Sequence, residues 1–297
     1  MRSFQQIPEL RTHLNALREE KLVIGFVPTM GALHDGHIAL IRRAVTECDR
    51  TVVSIFVNPI QFGPGEDFDR YPRDLAQDSR ICQEEGVDAL FVPAVGEMFP
   101  SADGDGPAES PTRVHVPALE DILEGAARPG HLSGVTTICA KLFNIVQPRR
   151  AYFGQKDYQQ LIAIQRMVAD LCMPITVVPV ATVREPDGLA LSSRNVYLSP
   201  EERPRAVALS AALKEGERLY AAGERNADTL REAVRDVLVR AGLSAIEYIE
   251  VADPRTMVRL NHIDDEAVLL AAVRIGALRL IDNVLLGITL NQHLRRL

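Results

Sequence analysis

Short apolar runs that alternate with longer stretches of helical spacing constrain this chain more than any other feature. Runs rich in Val, Ile, Leu and Phe recur at Leu22–Val27, Thr51–Val57, Ala89–Val92, Ala151–Phe153 and Ile175–Val180. Between them the spacing predicts helices over Ile38–Cys48, Asp74–Glu85, Val135–Val146 and Tyr158–Leu171. Successive units of this kind read as a parallel sheet with helices on its faces, because the crossover between parallel strands needs about the length of a helix. The expected fold class is α/β: a Rossmann-like, doubly wound parallel sheet as the N-terminal domain, with its ligands at the carboxyl ends of the strands.

Past Thr182–Asp187 the pattern changes. Helical spacing over Glu201–Ala222 and Ala227–Ala241 gives way to extended runs at Ile246–Val251, Ala267–Val273 and Leu278–Leu286. This predicts a smaller α+β C-terminal domain, with the division at 1–182 and 183–297. Two domains suit 297 residues at the usual length of roughly 100–200 residues each. The stretch Ser101–Pro111 holds only Ser, Ala, Asp, Gly, Pro and Glu, and is read as a surface loop.

Composition narrows the function. The formal charge is −7, Trp is absent and aromatics are 5%, so neither a global basic field nor stacking platforms favour nucleic acid as the partner. The four cysteines form no CxxC pair and no cluster at zinc spacing. No signal-peptide core follows Met1, and no apolar run reaches the roughly 18–20 residues that span a bilayer. A cytoplasmic protein without membrane or nucleic-acid partners is expected.

The chemistry concentrates where runs end. Pro28, Thr29, Met30, Gly31, Ala32, Leu33, His34, Asp35, Gly36 and His37 leave a strand and enter a helix. A strand, a glycine turn and a helix N-terminus make an anion site in which unpaired N–H groups face the ligand, and phosphate is the natural guest. His34 and His37, three apart, share one helix face. Capping the helix or binding zinc are the competing readings, the latter lacking an obvious third ligand. A second strand end runs through Gly154, Gln155, Lys156 and Asp157 to Gln160. Lysines number only four, and an ammonium here suits charge developing on a phosphate; a solvated loop lysine is the alternative. Leu191, Ser192, Ser193 and Arg194 follow a Pro-Asp-Gly turn and suit a loop closing over a triphosphate. Asn58 and Gln61 end another run and offer amides to a small polar substrate, or a turn at Asn58-Pro59. Arg128 and His131 precede a helix that Ser133 could cap.

These segments resemble the pantoate–β-alanine ligase (pantothenate synthetase) family, on five motifs in order: Pro28 to His37, Phe56 to Phe62, Arg128 to His131, Phe153 to Gln160 and Leu191 to Asn195. The resemblance runs to about Leu285. It implies the condensation of (R)-pantoate with β-alanine, driven by ATP with Mg2+, giving pantothenate, AMP and diphosphate through a pantoyl adenylate. It also implies residue roles. Met30 through His37 bind ATP, with His34 and His37 on the phosphates and His37 as proton donor. Gly154 through Asp157 form a further ATP segment in which Lys156 stabilises the transferring phosphoryl group. Val183 meets adenine through its backbone, and Leu191 through Arg194 close the site, with Ser192, Ser193 and Arg194 catalytic. Gln61 and Gln160 hold pantoate, Gln61 also β-alanine, while Asn58, Tyr71 and His131 take secondary roles. The second domain is expected as a lid, and a homodimer through the first.

Two departures stand out: Gln155 replaces a glutamate common in relatives, and Gly287–Leu297, with Arg295 and Arg296, extends past the family's usual end. A nucleotidyltransferase of the same superfamily would keep the two histidines, but it would call for Arg or Lys near Gln61 rather than amides. A silent nucleotide sensor would have lost His37, Lys156 or Arg194, and this chain has all three.

Overall fold

The computed structural model describes residues 1–100 and 112–290. The loop expected at Ser101–Pro111 and residues 291–297 of the expected tail, Arg295 and Arg296 among them, therefore lie outside the described residues. The chain forms two compact units, Met1–Phe153 with Ala163–Val180, and Gly154–Ile162 with Ala181–Leu297.

The first unit contains β1 (Arg2–Phe4), α1 (Ile7–Glu19), β2 (Ile24–Thr29), α2 (Asp35–Glu47), β3 (Arg50–Ile55), α3 (Leu75–Glu84) and β4 (Ala89–Phe91). Short helices α4 (Val95–Met98), α5 (Pro117–Glu120) and α6 (Leu123–Ala127) lead to α7 (His131–Val146) and β5 (Arg150–Gly154). Helix α8 (Tyr158–Asp170) begins in the second unit and ends in the first, ahead of β6 (Thr176–Val180).

The six strands stand in the order β1-β4-β3-β2-β5-β6, with β2 parallel to β3 and β5, and β4 parallel to β3 and β1. The doubly wound parallel sheet is thus observed. The chain builds outward from β2 through β3 to β4, then returns to the other side of β2 for β5. That reversal is the switch point at which such sheets open a crevice beyond the strand ends. Strands β2 and β3 are buried almost throughout, which is why they read as unbroken apolar runs rather than alternating ones. Val27, Ile41, Val53, Leu90 and Tyr152 share one core cluster.

Elements β1 and α1 were not expected from the sequence. Strand β1 has three residues, of which Arg2 and Ser3 are exposed, and α1 buries only Leu10 and Leu14, so neither leaves a strong apolar signature. The expected cap at Ser133 is also different. Gly130, at φ +82°, is the residue that precedes α7, and the Ser133 hydroxyl donates back to the Gly130 carbonyl at 3.0 Å. Helix α7 is apolar nearly all round, and accordingly it is buried over most of its length.

In the second unit α9 (Arg203–Ala221) and α10 (Ala227–Arg240) pack on an antiparallel sheet ordered β7 (Ile246–Ala252), β8 (Ala267–Ile275), β9 (Leu278–Leu286). Asn226 caps α10 by accepting from Asp228 N at 2.9 Å and Thr229 N at 3.1 Å. Leu209, Leu213, Leu230, Val234, Leu269 and Val273 form the core beneath. This is the smaller α+β arrangement expected of the C-terminal part.

Candidate active site

The chain leaves β2 at Thr29 and turns through Gly31, at φ +84°, and Ala32, at φ +50°. A side chain at Gly31 would meet both a strained backbone and the Asp78 carboxylate, 2.8 Å from an added Cβ. The turn does not present the unpaired N–H groups expected of it. Gly31 N–H donates to Thr29 Oγ1 at 3.2 Å, and Ala32 and Leu33 donate to the two oxygens of Asp78 at 2.9 and 2.8 Å. Asp78 is buried on α3, and that burial holds its carboxyl above the ordinary range even against these two N–H bonds.

The two histidines complete the turn. The His34 ring accepts from Gly36 N–H through Nδ1 at 3.1 Å, and the His37 ring accepts from His34 N–H through Nδ1 at 3.4 Å. Together they form a reciprocal capping box on α2. A nitrogen that accepts a hydrogen bond carries no proton, so each neutral ring holds its proton on Nε2, and Nε2 is a donor. The rings lie 4.2 Å apart, centre to centre. The turn therefore offers two imidazole Nε2 donors rather than bare backbone N–H groups.

Beyond β3, Asn58 and Gln61 bracket a 3-10 turn, Pro59–Gln61, and both side chains are buried. The Gly134 carbonyl can only accept, so Asn58 turns its Nδ2 toward it at 3.1 Å and toward Gln61 Oε1 at 2.9 Å. Gln61 is left with Nε2 as its outward donor, placed 3.1 Å from the Met30 sulfur, a weak acceptor. Asn58 Oδ1 is a buried acceptor with no protein partner among the described residues. Gly134 is required here, because an added Cβ would lie 2.3 Å from the Ile60 carbonyl oxygen.

His131 holds the same turn from α7. Its Nδ1 lies 2.9 Å from the Gln61 carbonyl oxygen and its Nε2 3.0 Å from an Arg128 nitrogen. Arginine only donates, so Nε2 accepts and Nδ1–H donates to Gln61. Burial and the neighbouring Arg128 cation lower the His131 pKa to about 4, which keeps the ring neutral. Arg128 is in turn paired to both oxygens of Glu66, at 2.8 and 2.7 Å. Burial pushes the Glu66 carboxyl up, but that pairing more than offsets it. Tyr71 is buried against Phe62, with ring centres 6.0 Å apart.

In the second unit, Gly154 opens a 3-10 turn over Gln155–Asp157 that runs into α8. Lys156 pairs loosely with Asp157 at 3.6 Å, and half-buried Gln160 lies in the first turn of α8. Val183 and Leu191 face each other across a small hairpin, where Leu191 N–H donates to the Val183 carbonyl at 3.0 Å and Arg184 bridges to Ala190. Ser192 then caps a 3-10 turn over Ser193–Tyr197 by accepting from Arg194 N–H at 3.3 Å.

Three supporting residues were missed from the sequence: Asp78, Glu66 and Asn283. Asp78 sits in the first turn of α3 among polar neighbours, and Asn283 sits within a strand, so only the packing shows that both are buried and bonded to backbone groups. Among the described residues, no three or more His, Cys, Asp or Glu are grouped to hold a metal.

Comparison with known proteins covers nearly the whole chain. The family model for pantoate-beta-alanine ligase matches residues 2–285. Pantothenate synthetase of Agrobacterium fabrum is 52% identical over 288 residues, 97% of this chain and 96% of that one. The enzyme of Chloroflexus aggregans is 54% identical over 264 residues, 89% of this chain and 93% of that one. A crystal structure of pantothenate synthetase from Thermus thermophilus superposes with a TM-score of 0.88 at 47% identity, covering 96% of this chain and 99% of that one. The pantoate-beta-alanine ligase of Francisella tularensis, solved with beta-gamma ATP and beta-alanine, superposes with a TM-score of 0.77 at 35% identity, over 98% of this chain and 99% of that one.

Proposed function

Because this chain belongs to the pantoate-beta-alanine ligase family, we propose that its activity, the ATP-dependent joining of pantoate to β-alanine, runs through a pantoyl adenylate. A carboxylate is a poor acyl donor, and transfer of AMP to it creates a good leaving group. An oxygen of the pantoate carboxylate attacks the α-phosphorus of ATP and diphosphate departs. The β-alanine amine then attacks the acyl carbon, AMP leaves, and the amine gives up its proton.

The single observation that carries the residue assignment is the histidine capping box, which turns the His34 and His37 Nε2–H groups into a donor pair for phosphate oxygens. His37 is the proton donor to the departing group. Lys156 stabilises charge growing on the transferred phosphoryl group. Pro28 through His37 and Gly154 through Asp157 line the nucleotide, Val183 meets adenine by its backbone, and Leu191 with Ser192, Ser193 and Arg194 close over the phosphates as part of a lid. Gln61 donates to pantoate while Asn58 Oδ1 accepts from one of its hydroxyls, a donor–acceptor pair matched to a hydroxy acid. Gln160 supplies the second amide, and neutral His131 keeps the Asn58–Gln61 turn in place.

Mg2+ enters as the companion of ATP. When bound, it would supply neutralisation of phosphate charge. The four cysteines are unpaired, in keeping with a reducing compartment; no helix among the described residues is long and apolar enough to cross a membrane. The cytoplasm and a homodimer through the first domain complete the proposal, the dimer resting on the family resemblance.

The test is pantoate-dependent exchange of labelled diphosphate into ATP, run without β-alanine. Exchange is the expected result and identifies an adenylate. Its absence in protein that binds ATP overturns the two-step route.

A further inference from the structure

Strand β9 carries Asp282 and Asn283 side by side, 3% and 2% exposed. Neighbours on a strand point to opposite faces, and every polar atom of these two side chains has a partner. Asn283 Nδ2 donates to the Gln155 carbonyl and to the Lys156 carbonyl, both at 3.0 Å, and its Oδ1 accepts from Gln155 Nε2 at 3.1 Å. Both amide hydrogens thus hold the backbone that carries Lys156. Asp282 accepts from both terminal nitrogens of Arg184, Nη1 and Nη2, at 2.6 and 3.0 Å. Arg184 in turn donates to the Gly188 carbonyl and to Ser210 Oγ, both at 3.2 Å. That arginine sits in the Val183–Leu191 hairpin, directly ahead of Ser192 and Arg194.

We propose that Asp282 and Asn283 are positioning residues for adenylate formation, Asn283 by fixing the turn that aims Lys156 and Asp282 by fixing, through Arg184, the hairpin that carries Leu191–Arg194. Neither touches substrate. The proposal rests on the assignment of Lys156 and the Leu191–Arg194 loop to ATP. Its physical basis is that an ammonium on a flexible stem acts as a point charge, whose value in the transition state depends on where its backbone anchor is held. A carboxamide with two donors and one acceptor is the smallest side chain that can tie two successive carbonyls and a neighbouring amide at once.

The test compares Asn283→Ala, Asn283→Asp, Asp282→Asn, Lys156→Ala and the Lys156→Ala/Asn283→Ala double variant in the diphosphate exchange assay, with thermal midpoints alongside. Asn283→Ala is expected to lower the exchange kcat about 10²-fold, the cost of a small misplacement of a reacting group, with the KM for ATP nearly unchanged. Asn283→Asp keeps the shape but loses both N–H donors, and is expected to be impaired equally; if the alanine variant does not fold, this one decides. In the Lys156→Ala background the Asn283 change is expected to add nothing, because residues acting through one another are not additive. A full additional loss there, or wild-type exchange by Asn283→Asp, overturns the role of Asn283. Asp282→Asn is expected to raise the KM for ATP, and an unchanged value overturns its half. Wild-type exchange by Lys156→Ala removes the premise itself, whereas a dead Lys156→Ala beside active Asn283 variants removes only the positioning.

Discussion

Two turns in this chain follow parallel strands and precede helices, and they are held by different means. From Gly31 to His37 half of the bracing is near at hand: His34 reaches Gly36 and His37 reaches back to His34, while Asp78 on α3 accepts two further N–H bonds. The turn over Gln155–Asp157 is tied instead by Asn283, 127 and 128 residues away along the chain. A brace within three residues forms with its helix, whereas closing a long loop carries an entropic cost that the rest of the second unit must offset. The two turns are therefore vulnerable in different places. The histidine turn is sensitive to changes in its own residues and at Asp78, the lysine turn to changes in a remote strand.

The strongest perturbation asks whether the remote brace serves chemistry at all. Lys156→Ala is expected to lower pantoate-dependent diphosphate exchange by about 10³-fold, the scale of losing a charge that stabilises a transferring phosphoryl group. Its thermal midpoint should stay at the wild-type value, since the ammonium pairs only loosely with half-exposed Asp157. Kinetics measured across ATP concentrations would show the loss in kcat rather than KM. Exchange within threefold of wild type would erase the contrast between the turns, because Gln155–Asp157 would then be structure alone.

The same contrast explains what was legible in the sequence. His34 and His37 cap their own helix, so spacing alone put them on one face, and β2, β3, α2 and α8 were visible because buried central strands and amphipathic helices leave strong periodicities. The bonding of the turn was not legible. The N–H groups of Ala32 and Leu33 were expected to face a ligand, but a carboxylate 45 and 46 residues away accepts them. Asp78 lies in a helix of mostly polar residues and has no local partner to betray its burial. Asn283 lies in a strand that reads as an ordinary half-buried run. The domain division at 182 and 183 followed a change in periodicity; the compact units instead take in Gly154–Ile162 with the second, a grouping set by packing that no local pattern encodes.

A more modest change separates the two jobs of the histidine turn. Asn at position 37 offers an oxygen near the place of Nδ1, and Gln offers an N–H near the place of Nε2. His37→Asn should keep the cap and lose the donor, with exchange falling about 10²-fold. His37→Gln should keep more activity but lose about 1 kcal/mol of stability with the cap. Steady-state exchange and urea midpoints on both variants check the assignment. The reverse ranking, Asn more active than Gln, would place the working proton on the other nitrogen and undo the capping-box argument.

The subtlest signal comes from a third turn, Asn58–Gln61, which is held from a distance by a titratable group. His131 is neutral in the folded protein because burial and Arg128 lower its pKa from 6.5 to about 4. The unfolded chain therefore binds more protons in that interval, and stability falls as pH drops from 6.5 toward 4. Between about pH 7 and pH 5 this group alone should remove about 2 kcal/mol. Carboxylates held low by partners, such as Glu66, add their loss only below their ordinary value of 4.5, and His13, also lowered, acts in both the wild type and a His131 variant. Subtracting the pH dependence of His131→Asn, measured by urea unfolding at the two pH values, isolates this contribution. Asn offers an N–H near the place of Nδ1 and can still donate to the Gln61 carbonyl, so the variant should be flatter in pH without losing the turn. Parallel curves for the two proteins would mean that His131 takes up its proton as readily in the folded protein as in the unfolded chain, and so is charged there at pH 5. In that case Nε2 could not accept from Arg128, and the Gln61 turn would be held by charge rather than by a neutral ring.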